Sequence, residues 1–154
     1  MQRRLFLLAP LGLPGLAAAH HGWSSFDQDR PIWLEGRATQ VRWRNPHAEL
    51  DLEVSADLAL PADLKSRPLP PQVAAVDGKA LLARAVVPTR KDRRWLVELA
   101  PLTRLEAWKA QPLEPGTAIG VLGFTFRQEK GDAVLRAEYL FVAGRVYGLR
   151  SGPA

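Results

Sequence analysis

The chain has 154 residues, a formal net charge of +5 and no cysteine. The missing thiols exclude disulfides, thiolate metal centres, cysteine nucleophiles and covalent haem attachment. The positive balance is mild, acids and bases interleave, and no basic stripe marks a nucleic-acid partner.

The first element in chain order reads as a leader. Basic Arg3 and Arg4 precede an apolar run over residues 5–16, broken by Pro10, Gly12, Pro14 and Gly15, and Ala17-Ala18-Ala19 follows. This predicts a signal peptide over residues 1–19 with cleavage after Ala19, too short and interrupted to remain in a bilayer. Arg3-Arg4-Leu5-Phe6-Leu7 also fits a twin-arginine signal. Either route delivers a bacterial protein to the periplasm or beyond, and the mature chain of 135 residues at +3 starts at His20. That length suits one domain, without stable membrane insertion.

Strand patterns dominate the mature chain. Residues 32–44, "IWLEGRATQVRWR", alternate apolar and polar around Gly36, as expected of a long strand bent or bulged at the glycine. Asn45-Pro46 supplies a turn. In "HAELDLEV" the residues Ala48, Leu50, Leu52 and Val54 share one face, and His47, Glu49, Asp51 and Glu53 the other.

Residues 55–92, punctuated by Pro61, Pro68, Pro70, Pro71 and Pro88, read as an inserted loop region. A short helix is expected near residues 62–65 and a strand across residues 79–87. A further strand is expected over residues 93–101, then a short helix over residues 102–110 with Leu102, Leu105 and Trp108 turned inward. Pro115-Gly116 is a turn. "TAIGVLGFTF" and "AVLRAEYLFVAG" form strands joined at "EKGD", with Gly131 able to take positive φ, and residues 145–149 add a last short strand. The expected fold is mainly β, a small antiparallel OB-like barrel with one short helix, with an open β-sandwich as the alternative.

Taken in order, "AHHGWSSFD", "GRATQVRWRNPHAELDLEV", "WLVELAPLTRLEA" and "LEPGTAIGVLGF" resemble a family of exported bacterial proteins known as domain of unknown function 6152. The resemblance covers nearly all the mature chain except the 55–92 region, which is usually shorter there. It implies a periplasmic OB-like domain whose recurring features fall on His20, His21, Asn45, Pro46 and His47. It assigns no activity and no catalytic residue.

All three histidines lie in the segments that carry this resemblance. Cleavage after Ala19 gives His20 a free amine and an imidazole that can chelate one metal together, and His21 or His47 can add a nitrogen. Such a nitrogen set favours copper over zinc, with Asp27, Glu49 or Asp51 as supporting carboxylates. Gly22-Trp23 offers an aromatic anchor that would hold the amine near His47.

No phosphate loop, zinc-protease helix or nucleophile elbow appears, so catalysis is not expected. The expected function is a non-catalytic periplasmic binding protein with copper at the mature N-terminus. The alternative is an interaction module that docks a periplasmic protein or small ligand without metal. The third reading is a copper-dependent oxidoreductase.

Overall fold

The computed structural model describes residues 22–154. His20, His21 and the expected leader lie outside them. Six strands make one sheet: β1 (Ile32–Arg42), β2 (Glu49–Val54), β3 (Arg94–Glu98), β4 (Ala118–Phe124), β5 (Val134–Val142) and β6 (Arg145–Gly148). β2 pairs with β1 and β3, β4 pairs with β1 and β5, and β3 returns to β5, so five strands close into a barrel with β6 added along β5. The OB-like barrel is thus present and the open sandwich is not. The expected all-antiparallel pairing needs one correction, because β3 and β5 run parallel.

The alternation of β2 forms as its sequence dictates. Ala48, Leu50, Leu52 and Val54 point into the barrel beside Leu34, Ala38, Val97, Val121 and Leu135. The helix α2 (Leu102–Ala107) packs Leu105 fully, and Leu102 and Trp108 partly, against this cluster.

The predicted irregularity of β1 falls three residues late. Ala38 pairs with Leu52 but Gln40 with Asp51, so Thr39 is the extra residue. Gly36 serves another purpose: a Cβ there would stand 2.0 Å from the Glu53 carbonyl oxygen, so only glycine lets β2 approach this closely.

A second hydrophobic layer covers the outside of the barrel. Trp33, Leu122, Phe124, Tyr139 and Phe141 face outward and are roofed by Phe26 and by Leu64, Leu81, Leu82 and Ala85 of the β2–β3 connection. The connection carries a 3-10 turn at Leu64–Ser66, near the helix expected there. The strand expected across residues 79–87 is a helix instead, α1 (Gly78–Arg84). The Asp77 side chain accepts the Ala80 N–H at 3.0 Å, and Lys79-Ala80-Leu81-Leu82-Ala83-Arg84 are strong helix formers. The cap and these propensities set the helix.

The loop from β4 to β5 is longer than a tight "EKGD" hairpin, with a 3-10 turn at Arg127–Glu129, although Gly131 does take positive φ. Glu129 is buried there and bridges three segments. It accepts from the backbone N–H of Thr89 and Arg90 and pairs with Arg30.

Candidate functional site

A polar row crosses the outer face of three strands. Glu49 pairs with Glu98 across β2 and β3, and Glu98 with Arg136 across β3 and β5. Leucines and valines between these positions turn inward, so the polar members share the outer surface. The ladder runs on past Glu49: Ala48 N–H donates to the Ala100 carbonyl at 2.9 Å, and Leu99 N–H to the Ala48 carbonyl at 2.8 Å. With Ala48 inside, His47 falls on the outward side, diagonal to Glu98 and at the end of the turn that contains a cis Asn45-Pro46 peptide.

Arg136 joins this row to the start of the described chain. Its guanidinium donates to Glu98 at 3.3 Å and lies 5.1 Å from the centre of the Trp23 ring. Arg150 stacks on the same ring at 3.5 Å, and Phe124 meets it edge-on at 6.3 Å. Two cations and one aromatic edge hold a single indole. The backbone is tied as well: Phe26 N–H and the Gln28 side-chain amide both donate to the Trp23 carbonyl, and Phe26 stacks on Phe126.

The arginines are balanced by buried acids. Glu138 is fully buried and accepts from Arg150 Nε at 2.8 Å, with Nη2 at 2.7 Å. It is the extra residue where β5 bulges against β4, between Ala137 and Tyr139. Burial pulls the Arg136 guanidinium below its ordinary pKa, opposed by the charge of Glu98 and the hydrogen bond to it. Arg104 is lowered by burial too, against the attraction of Glu138, and donates to the Leu149 carbonyl at 2.7 Å. With two carboxylates among three arginines, this end of the barrel is a paired charge network that keeps one net positive charge.

The residues named from the sequence divide unequally. His20 and His21 lie outside the described residues. His47 stands at the end of the row, and neither it nor Glu98 is without an interaction partner. Glu49 and Asp51 are engaged by Arg42, at 3.2 and 2.9 Å. Burial alone would lower the Arg42 pKa, but hydrogen bonds to Asp51 and Glu49 raise it. Asp27 turns its carboxylate to the Asp29 N–H of its own loop.

Glu98, Arg136, Glu138 and Arg150 carry the network and were not singled out in the sequence. Among the described residues no three histidine or carboxylate side chains are grouped to hold a metal ion. No helix among these residues is long and apolar enough to cross a membrane.

Elsewhere on the surface lies an open groove of about 580 Å³ lined by Trp33, Arg37, Glu53, Arg67, Arg93 and Phe141. Arg67 lies over the Trp33 and Phe141 rings at 5.5 and 5.6 Å.

No curated protein and no solved structure matches the chain. Residues 10–60 match the model of a family of unknown function, DUF6152, a span that holds Trp23 and the turn at His47 and supports the family resemblance over its first two segments.

Proposed function

We propose that this is an exported, periplasmic protein that binds copper where its processed N-terminus meets the turn at His47. The observation that carries the reading is the seating of Trp23 against Arg150 and Arg136, the latter belonging to the row whose other end is His47. An N-terminal chelate needs its terminus held, since the first residues of a domain otherwise wander. Trp23 supplies that hold three residues from His20.

The dimensions agree. Arg136 and His47 are two strand spacings apart, ~10 Å, with a further offset of two residues along the strand, and each extended residue reaches ~3.5 Å. Residues 20 and 21 together with their side chains cover such a gap. A free amine and neutral imidazoles, with ordinary pKa values of about 7.7–8.0 and 6.5, shed their protons readily near neutrality. Copper(II) heads the divalent affinity series for nitrogen donors. Glu98, diagonal to His47, is a carboxylate that can orient an imidazole, and it offsets the charge of Arg136.

The test is a copper(II) titration of protein that begins at His20, as shown by mass spectrometry, against protein with a methionine ahead of it. The free terminus is expected to bind at least ~100-fold more tightly, because the extension removes one chelating nitrogen. Equal affinities would defeat the site.

A module that binds a protein or small ligand without metal is the second reading, favoured by the groove under Arg67. Arg67→Ala and Arg93→Ala would weaken that capture and leave copper binding intact.

A further inference from the structure

The β2–β3 connection has a task that the barrel itself does not explain. Its middle runs beside the C-terminal residues: Gln72 pairs with Pro153, Val73 N–H donates to the Gly152 carbonyl at 3.0 Å, and Ala74 N–H to Ser151 Oγ at 2.8 Å. One side chain then reaches inward. Gln72 Oε1 accepts from the backbone N–H of Arg150 and Ser151 at 3.0 and 3.1 Å, while Nε2 donates to Glu138 Oε1 at 3.3 Å. The Gln72 side chain lies so close to Gly148 that a Cβ there would meet it at 2.4 Å.

Gln72 therefore fixes both the backbone of Arg150 and the carboxylate that orients its guanidinium. That guanidinium is the plane stacked on Trp23, and its Nη1 donates to Gln28, which in turn holds the Trp23 carbonyl.

We infer that Gln72 is a positioning residue: the inserted connection acts through Gln72, Glu138 and Arg150 to lock Trp23, and with it the N-terminal segment, onto the barrel. Its consequence for metal rests on the copper reading above, but the lock itself does not. A glutamine that bonds two backbone amides and a buried carboxylate at once transmits a displacement directly, because an unmade bond to any of them is costly.

The experiment measures amide hydrogen exchange at Ser25 and Phe26, whose N–H groups bond to the Gly22 and Trp23 carbonyls, alongside copper affinity. Gln72→Ala is expected to speed exchange at both amides by at least ~10-fold and to weaken copper by a similar factor. Arg150→Lys keeps the charge beside Glu138 but loses the planar stack, and is expected to speed the same exchange. Lys65→Ala, at an exposed position in the same connection, should change neither quantity.

Unchanged exchange at Ser25 and Phe26 in both Gln72→Ala and Arg150→Lys would overturn the lock. Faster exchange with unaltered copper affinity would overturn the positioning role for the site. A wild-type protein that binds no copper would sink the metal reading alone, and the exchange data would still decide the lock.

Discussion

Glu138→Ala is expected to lower the stability of the fold by about 3 kcal/mol, the low end of what removing one partner of a buried ion pair costs. Glu138 is fully buried, whereas Arg150 retains some solvent contact, which moderates the loss. Without the carboxylate, Arg150, Arg104 and Arg136 face one another with only Glu98 to offset them, and the Gln72 amide loses its acceptor. Urea unfolding followed by circular dichroism measures the effect. Glu138→Gln keeps the volume and one acceptor, so it should fall between alanine and wild type. A loss under ~0.5 kcal/mol, as at an ordinary surface position, would mean that the network does not hold this end of the barrel.

The second large effect is at Glu129 and depends on pH. Burial alone would raise its carboxyl pKa, but the backbone N–H groups of Thr89 and Arg90 and the guanidinium of Arg30 hold it down, from 4.5 to about 2. A depressed folded pKa gives stability that is complete above the unfolded value and is lost as pH falls from about 4.5 toward 2. The shift corresponds to ~3 kcal/mol at neutral pH. Glu129→Gln should lose about that much at pH 7, and its deficit against wild type should shrink steadily between pH 4.5 and 2. A deficit that stays constant through that range would show that packing, and not the charge of Glu129, ties the β4–β5 loop to Thr89 and Arg30.

The barrel was legible in the sequence because half-buried strands announce themselves. The phase of Ala48, Leu50, Leu52 and Val54 placed β2 and predicted which face His47 and Glu49 share. Closure through a parallel β3–β5 pair was not legible, since pairing partners far apart in sequence leave no local pattern. β5 concealed more. It is buried on both sides, by the barrel and by the roof from the β2–β3 connection, so its run shows no alternation that would tell the inner face from the outer. Its one available signal was Arg136 and Glu138 inside that run, because charged residues persist in a doubly covered strand when they are paired. Glu98 had no such signal: at the end of a short strand it reads as an ordinary solvated residue. Gln72, in a proline-punctuated loop, had none either.

The helix α1 was legible locally even though a strand was expected there: Asp77 as a cap, followed by a run of strong helix formers, marks a helix start. The bulge at Thr39, displaced from Gly36, reflects the demand that Gly36 meets, which is tolerance of the Glu53 carbonyl and not curvature.

The central claim is that the processed N-terminus and the turn histidine share one metal. Nuclear magnetic resonance of protein beginning at His20, titrated with substoichiometric copper(II), tests this most directly, because the paramagnetic ion broadens nearby amides. The account predicts that signals of Trp23, His47, Ala48 and Glu98 vanish first and together, and that His47→Ala spares the turn. Broadening confined to the first residues, with His47 and Ala48 unaffected, would contradict it.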